Sequence, residues 1–539
     1  MISASINGIE IQVKRGTSIL QAAEMHNIYI PTLCNHPDLP PAGECGICTV
    51  KANGKFVSSC CTKLKEGMVI DTQSPDVKAK AFESLQNFKD VSMWPKTHEI
   101  ETIYEYFDPS SSSHFRTGQN SNYIHFNPNR CVNCTRCIRE CSDGQYLDAI
   151  SDSPSKSSEN CISCGQCTTV CPTGALSERN DISKIIRALS KGKILVLQIA
   201  PSVRVSLGEC FGDPIGTVVT GKIISSAREI GFQYIFDTNF GADLTIVEEG
   251  TELISRLTKQ SSNNTLPMFT SCCPGWVNFV EKFHPELIPN LSTAKSPHAM
   301  TGSMIKNYFS VKKGINPGDL FVVSLMPCIA KKDEINRPQI QSDVDVVITA
   351  REYSQMIKQF DINWADLEDG QFDSLLGEST GPAALFGVSG GVMEAAIRFA
   401  HEQMTQSKFP YETVEYKQWR GFDDIKTASI KIADFELNIA VCNGIANAKE
   451  IIENGSYKAY HFIEVMACPC GCIAGGGQPK LKSRKLALQR ANSLYALDEE
   501  SEGKTANDNQ EIAQLYEFLG EYGSPLAHQL LHTHFVPRK

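Results

Sequence analysis

Twenty-one cysteines in a chain of 539 residues, most of them in short runs at fixed spacings, restrict this sequence more than any other feature. Their number is odd and their spacing tight. The opening MISASINGIEIQV goes straight into strand-like alternation, without an apolar signal core, twin arginines or an Arg-rich leader. Disulfides are therefore the weaker reading, and thiolates bound to metal in a reducing compartment the stronger. The cytoplasm fits, as does a reducing organelle. No apolar run of 18 residues occurs, so no membrane span is expected. The formal charge of −10, from 51 basic and 61 acidic residues, excludes general binding to nucleic-acid phosphates. It leaves room for a basic patch that docks an acidic electron carrier.

At this length, with 41% apolar residues, the chain is expected to bury more than one core. Residues 1–78 alternate as short strands around one helix (SILQAAEMH), a small β-rich module. Residues 79–121 lack cysteine and end in the polar stretch FDPSSSSHFRTGQNSN, read as a linker of helix and loose loop. Residues 122–182 hold eight cysteines in two similar runs and too few apolar residues for an ordinary core, so metal must hold them together. From KILVLQIA onward, apolar strands (ILVLQIA, YIFD, FVVSLMP, VDVVIT, NIAVCNG) alternate with amphipathic helical stretches, which predicts a large α/β domain over 190–482. Residues 483–539 read as helices wrapping its surface. The expected fold class is multidomain, α+β followed by α/β.

The first constellation is Cys34-x10-Cys45-x2-Cys48-x11-Cys60. Four thiolates on such loops suit two irons bridged by two sulfides. Zinc is the alternative metal, disfavoured by the long first gap, and Cys61 is the alternative fourth ligand. The segments CNHPDLPPAGECGICTV and SCCTKLKEGMVIDT resemble the 2Fe–2S ferredoxin module of hydrogenases and of respiratory complex I, a β-grasp fold. The second constellation is Cys131-x2-Cys134-x2-Cys137-x3-Cys141, then Cys161-x2-Cys164-x2-Cys167-x3-Cys171-Pro172. In this two-cluster ferredoxin pattern the fourth cysteine of each run ligates the other cluster. Cys131, Cys134, Cys137 and Cys171 would hold one 4Fe–4S cluster, and Cys161, Cys164, Cys167 and Cys141 the other. Ser142 replaces the usual proline after the first run.

Such clusters carry electrons and name no reaction. The C-terminal region adds three cysteine loops: FTSCCPGW with Cys272 and Cys273, LMPCIAKKDE with Cys328, and EVMACPCGCIAGGGQP with Cys468, Cys470 and Cys472. Together with AKSPHAM, ALFGVSGGVMEAA and the AHQLLHT terminus, they resemble the iron-iron hydrogenases, and the likeness runs over essentially the whole chain. It implies a two-lobed catalytic domain, with a C-terminal segment like the hydrogenase small subunit. It also implies an H-cluster: a 4Fe–4S cluster on Cys273, Cys328, Cys468 and Cys472, joined through Cys472 to a two-iron subsite carrying carbon monoxide, cyanide and a dithiolate. Pro201, Met326, Phe386 and Met466 would wall a dry pocket, with Lys331 and Ser202 donating to the cyanides. The bland reading of Lys331 is a solvated surface lysine.

Adjacent side chains in an extended segment point to opposite faces, so one cluster is not expected to use both Cys272 and Cys273. A free thiol titrates near pH 8.5 and exchanges protons close to neutrality. The resemblance assigns Cys272 as the last proton donor and acceptor. It places Glu249, Ser292 and Glu252 on the path behind it, with Arg256 at the outer end. Glu249, Glu252 and Arg256 recur at helical spacing and share one helix face. The bland reading of that face is a solvated charged surface.

Two departures stand out. Family members usually carry glycine where Cys470 stands; a small packing residue is the first reading, an alternative ligand or protective thiolate the second. Residues 62–130 contain no cysteine, so the additional His- and Cys-ligated cluster of larger relatives is absent. His98, His114 and His125 are then ordinary surface or loop histidines, and Cys210 and Cys442 buried structural thiols. No dinucleotide-binding glycine loop occurs in strand–turn–helix context; GGGQP is read as a tight backbone wrap.

The expected activity is that of a ferredoxin hydrogenase, reversible reduction of protons to dihydrogen. Its partners would be ferredoxin or a flavoprotein carrier, together with dedicated maturation proteins. A redox- or hydrogen-sensing homologue and a non-catalytic iron–sulfur assembly protein are the rivals. TSCCP and MPC are both intact, which argues against the assembly protein, and no sensory appendage argues for the sensor.

Overall fold

The computed structural model describes residues 1–26, 28–36, 38–86, 103, 123–150, 159–259, 265–340, 342–410, 420–433 and 435–538. Most of the expected linker, with His98 and His114, lies outside them. The chain forms two compact units: Met1–Ser158 with Val170–Ser177, and Glu159–Thr169 with Glu178–Lys539.

In the first unit a five-stranded sheet runs in the order Ile9–Val13, Ile2–Ile6, Met68–Asp71, Thr49–Ala52, Lys55–Ser58. The first strand pairs antiparallel with the second, which in turn is parallel to Met68–Asp71. Alternation explains the sheet: Ile2, Ala4 and Ile6 face a core completed by Ile19, Leu20, Ala22 and Ala23 of the helix Ile19–Met25. Ser18 caps that helix, accepting from the Gln21 amide while the Gln21 side chain accepts from Ser18. The helix Pro75–Gln86 puts Leu85 against Leu33, Cys34, Cys45 and Ile47, so the cysteine loops have an apolar backing of their own.

The two cysteine runs are repeats in backbone as well as sequence. Asn133 and Thr135 of the first, and Ser163 and Gly165 of the second, all take positive φ. Alternating left-handed residues curl a loop so that successive amides face one concave side, the form that cradles an anionic cluster. Where Ser142 replaces proline, Glu140–Gly144 opens into a π-turn in which the Gln145 amide donates to the Glu140 carbonyl at 2.9 Å. His125 sits half-buried in the short strand Ile124–Phe126.

The second unit is built on two four-stranded sheets. One is wholly parallel, in the order Val346–Thr349, Leu320–Met326, Ile194–Ile199, Tyr234–Asp237. The other runs Met268–Phe269, Phe462–Met466, Phe435–Asn443, Ile425–Ile432, with only the last pair antiparallel. The central parallel strands are buried along nearly their whole length, which is why they read as continuous apolar runs. Five of these eight strands coincide with the apolar runs of the sequence; Met268–Phe269, Ile425–Ile432 and Phe462–Met466 do not. The helices Ala487–Glu500, Gln510–Leu519 and Pro525–Leu531 of the C-terminal segment each bury one face, with Leu494, Leu515 and Leu531 fully enclosed. Among the described residues no helix is long and apolar enough to cross a membrane.

Candidate active site

All three C-terminal cysteine loops leave the carboxyl ends of parallel strands. Met268–Phe269 runs into Cys272 and Cys273, Leu320–Met326 into Cys328, and Phe462–Met466 into Cys468, Cys470 and Cys472. Ile194–Ile199 delivers Pro201 and Ser202 in the same way. Ligand sites in open α/β sheets lie off these ends. Here the ends of both sheets enclose a cavity of about 70 Å³, lined by Pro201, Ser202, Met326, Phe386, Met466 and Lys331 and by Cys272, Cys273, Cys328, Cys468 and Cys472. Every wall and ligand residue predicted for the H-cluster lines it. Cys470 does not.

Three features show that the cavity suits a bound metal group. Burial pushes the Cys328 thiol up to about 12, and the neighbouring Cys273 adds to the effect. Cys468 and Cys472 are raised by burial too, and by the charges of Cys328 and Cys273. Thiols so placed become thiolates only against a cation. The Ser202 hydroxyl is fully buried, and its oxygen has no hydrogen-bond partner among the described residues. A buried polar atom of this kind calls for a ligand. Lys331 lies inside rather than on a solvated surface; it donates to the Cys272 carbonyl at 3.0 Å and to Glu334 at 2.8 Å. Although burial opposes its charge, Glu334 keeps Lys331 above its ordinary value, so a cation is fixed at the cavity wall.

Cys273 caps the helix Pro274–Phe283, and its sulfur accepts from the Ala467 amide at 3.5 Å. Cys272, the residue before it, lines the same cavity. Burial, reinforced by Glu249 and Cys273, raises its thiol well above the ordinary value of a free cysteine. It stands as a protonated thiol.

Behind it runs the helix Thr238–Leu257, capped by Asp237, which accepts from the Asn239 amide at 2.8 Å. The solvated-face reading fails: Glu249 and Arg256 are each 1% exposed. Burial, with the Glu252 charge behind it, pushes Glu249 up to about 8 despite its bond to Ser292. Ser292 stands between the two carboxyls: it is hydrogen-bonded to Glu249, and its hydroxyl donates to Glu252 at 3.1 Å. The other Glu249 oxygen has no partner among the described residues. Arg256 donates to Glu252 and to the carbonyls of Thr265, Pro289, Asn290 and Leu291.

GGGQP is the backbone wrap anticipated. A Cβ at Gly475 would sit 2.5 Å from the Pro327 carbonyl oxygen, and one at Gly476 would collide with that of Cys164. Thr168 donates to the Gly476 carbonyl at 3.1 Å, so the second cluster run and the third cysteine loop are in backbone contact. Cys470 takes a left-handed φ of 72°, the conformation that favours glycine, and packs among Val388, Ile473 and Leu494.

In the first unit Cys34, Cys45, Cys48 and Cys60 are all buried and converge; the Cys48 and Cys60 sulfurs lie 3.4 Å apart, and Cys34 hydrogen-bonds to both Cys45 and Cys60. Cys61 is exposed. Cys131, Cys134, Cys137 and Cys171 line one cavity of about 220 Å³. Cys161, Cys164 and Cys167 belong to the second unit, Cys141 to the first. Cys442 is buried in its strand and Cys210 half-buried.

Sequence comparison agrees with this layout. Residues 1–75 match a 2Fe–2S iron–sulfur cluster binding domain, 123–185 a 4Fe–4S dicluster domain, 193–476 the iron only hydrogenase large subunit, C-terminal domain, and 484–538 the iron hydrogenase small subunit. The chain is 40% identical to the NADP-reducing hydrogenase subunit HndD of Solidesulfovibrio fructosivorans, over 100% of this chain and 99% of that one. It is 37% identical to iron hydrogenase 1 of Clostridium pasteurianum, over 98% of each. The structure of apo [FeFe]-hydrogenase HydA1 from Chlamydomonas reinhardtii, as a variant, superposes with a TM-score of 0.58 at 38% identity, covering 66% of this chain and 98% of that one. With cysteine loops converging on one buried cavity and full-length relatives of this kind, the chain belongs to the iron-only hydrogenases and carries their 2Fe–2S, 4Fe–4S and H-cluster cofactors.

Proposed function

We propose that this chain is a catalytic hydrogenase that interconverts protons and dihydrogen with electrons from ferredoxin or a flavoprotein carrier. One observation supports this above the others: Cys272, unused as a ligand in this scheme, faces the same cavity as the four ligand thiols and backs onto a buried carboxyl that is neutral at pH 7. An assembly or sensory protein has no need of a protonated thiol beside the metal site.

In this reading Cys34, Cys45, Cys48 and Cys60 hold the 2Fe–2S cluster. Cys131, Cys134, Cys137 and Cys171 hold one 4Fe–4S cluster, and Cys161, Cys164, Cys167 and Cys141 the other. Cys273, Cys328, Cys468 and Cys472 hold the H-cluster, which supplies the two-electron chemistry when bound. The chain's own residues do the rest. Met326, Phe386, Met466 and Pro201 exclude water, while Lys331 and Ser202 direct N–H and O–H groups into the cavity. Cys272 holds the proton nearest the metal, Glu249 replaces it, and Ser292 links Glu249 to Glu252. Arg256 fixes Glu252 in place.

The tightly spaced cysteine runs suit metal thiolates in a reducing, cytoplasmic setting and assembly by maturation proteins. The test is hydrogen evolution from reduced methyl viologen, under anaerobic conditions, by matured wild type and Cys272→Ala. Activity that the substitution abolishes, with the infrared bands of the two-iron subsite intact, is expected. Inactive wild type with those bands present would favour a sensory or assembly role.

A further inference from the structure

The family resemblance places Arg256 at the outer end of the path, where protons would enter, yet its side chain is fully enclosed and each of its N–H groups is taken by Glu252 or a backbone carbonyl. A guanidinium does not release a proton inside a protein. Arg256 therefore positions Glu252 and closes that end of the path.

A second chain of hydrogen bonds leaves Glu252 in another direction. Thr293 donates through its hydroxyl to Glu252 Oε2 at 3.1 Å, and the same hydroxyl meets His532 Nδ1 at 2.8 Å. His532 Nε2 lies 2.9 Å from Glu248 Oε2, and Tyr516 donates to the other oxygen of Glu248. The exposed His528 ring stacks on His532 with centroids 4.6 Å apart. The backbone fixes this register: Ala294 and His532 form an antiparallel bridge, Thr533 donates to the Thr293 carbonyl at 2.8 Å, and Lys295 donates to that of Leu531 at 2.8 Å. The groups facing His532 are thus Glu248 from its own helix, Thr293 from the 292–295 segment, and Tyr516 and His528 from the C-terminal helices. Tyr522 packs edge-on to Tyr516.

We propose that His532 is the outer station of the proton path, passing protons between solvent and Glu252 through Thr293. This assigns a chemical role to the segment that matches the hydrogenase small subunit, and it rests on the reading of Glu249 and Glu252 given above. His532 takes one proton from water and becomes imidazolium. Its Nδ1 proton passes to Thr293 Oγ1 as the Thr293 hydroxyl proton passes to Glu252 Oε2. One proton has entered, one has reached Glu252, and the ring is neutral again with Glu248 facing Nε2. In hydrogen oxidation the order reverses. His532 touches no reacting atom and acts through Glu252, so its test needs a readout that mere anchoring of the tail would not move.

The experiment uses the matured full-length enzyme as wild type, His532→Ala, His532→Gln, Thr293→Val and Glu249→Gln. Hydrogen evolution is measured in H2O and D2O with and without added imidazole, and the infrared carboxyl band is followed after a jump in pH. The expected result is a loss of at least about tenfold in His532→Ala and His532→Gln, within the range general acid–base groups contribute. The solvent isotope effect should rise, the carboxyl band should respond more slowly, and imidazole should restore the rate in His532→Ala but not in Thr293→Val. Wild-type rates in both His532 variants would overturn the proposal in favour of direct exchange at Glu252. A loss that imidazole does not restore, with a lowered melting temperature, would overturn it in favour of a tail anchor. Full activity in Glu249→Gln would instead sink the path itself, so the two failures are distinguishable.

Discussion

Replacing Glu249 by glutamine should make the protein more stable and far less active at once. Its carboxyl is pushed from 4.5 to about 8 by burial. At pH 7 the folded chain holds it protonated while the unfolded chain holds a carboxylate, so folding must take up a proton. At ~1.4 kcal/mol per pH unit above the ordinary value, that uptake costs about 3 kcal/mol at pH 7. The sign follows from the raised value: the cost is absent below pH 4.5, grows as pH rises, and levels off above pH 8 at about 5 kcal/mol. Glutamine has no proton to take up and can keep a hydrogen bond with Ser292, so Glu249→Gln should gain about 3 kcal/mol at pH 7 and almost nothing near pH 4.5. It cannot relay a proton to Cys272, and hydrogen evolution should fall by ~10² to 10⁴. Matured wild type and variant are compared by thermal unfolding at pH 5 and pH 7.5 and by gas evolution from reduced viologen. A variant as active as wild type, or a stability difference that does not widen with pH, would refute the reasoning.

Cys470→Gly should be close to neutral in stability, because relief of a left-handed φ, about 1 kcal/mol, offsets the loss of a small buried side chain; activity and cluster spectra should match wild type, and loss of the H-cluster signal would make Cys470 a ligand. Gly476→Ala drives a Cβ into the Cys164 carbonyl oxygen, where backbone must give way; a loss of about 1–3 kcal/mol is expected from overpacking of this kind, with electron paramagnetic resonance reporting a changed 4Fe–4S spectrum. Cys60→Ser should erase the 2Fe–2S spectrum and Cys61→Ser should leave it intact; the reverse pattern would move the fourth ligand to Cys61.

The cysteines that converge in the fold were legible because cluster chemistry demands fixed cysteine spacing, a one-dimensional signal. The four strands of the parallel sheet were legible as apolar runs because both faces are covered. Phe462–Met466 was not, since five residues running directly into a cysteine loop look like part of that loop. Ile425–Ile432 was missed because its exposed alternation carries little net hydrophobicity. The glutamates of the proposed path could be named but not their state: charge and spacing fit a solvated face, and only tertiary burial raises Glu249 and encloses Arg256. His532 lay in a terminal motif already noted for its resemblance, yet its partner Thr293 is 239 residues away, and no local pattern joins them.

The central claim meets its most direct test in hydrogen gas itself. Full-length protein, matured with the two-iron subsite and kept anaerobic, should evolve dihydrogen from reduced viologen and consume it with oxidised viologen, while the same protein without that subsite does neither. Matured protein that shows the subsite's infrared bands yet turns over in neither direction would contradict the account.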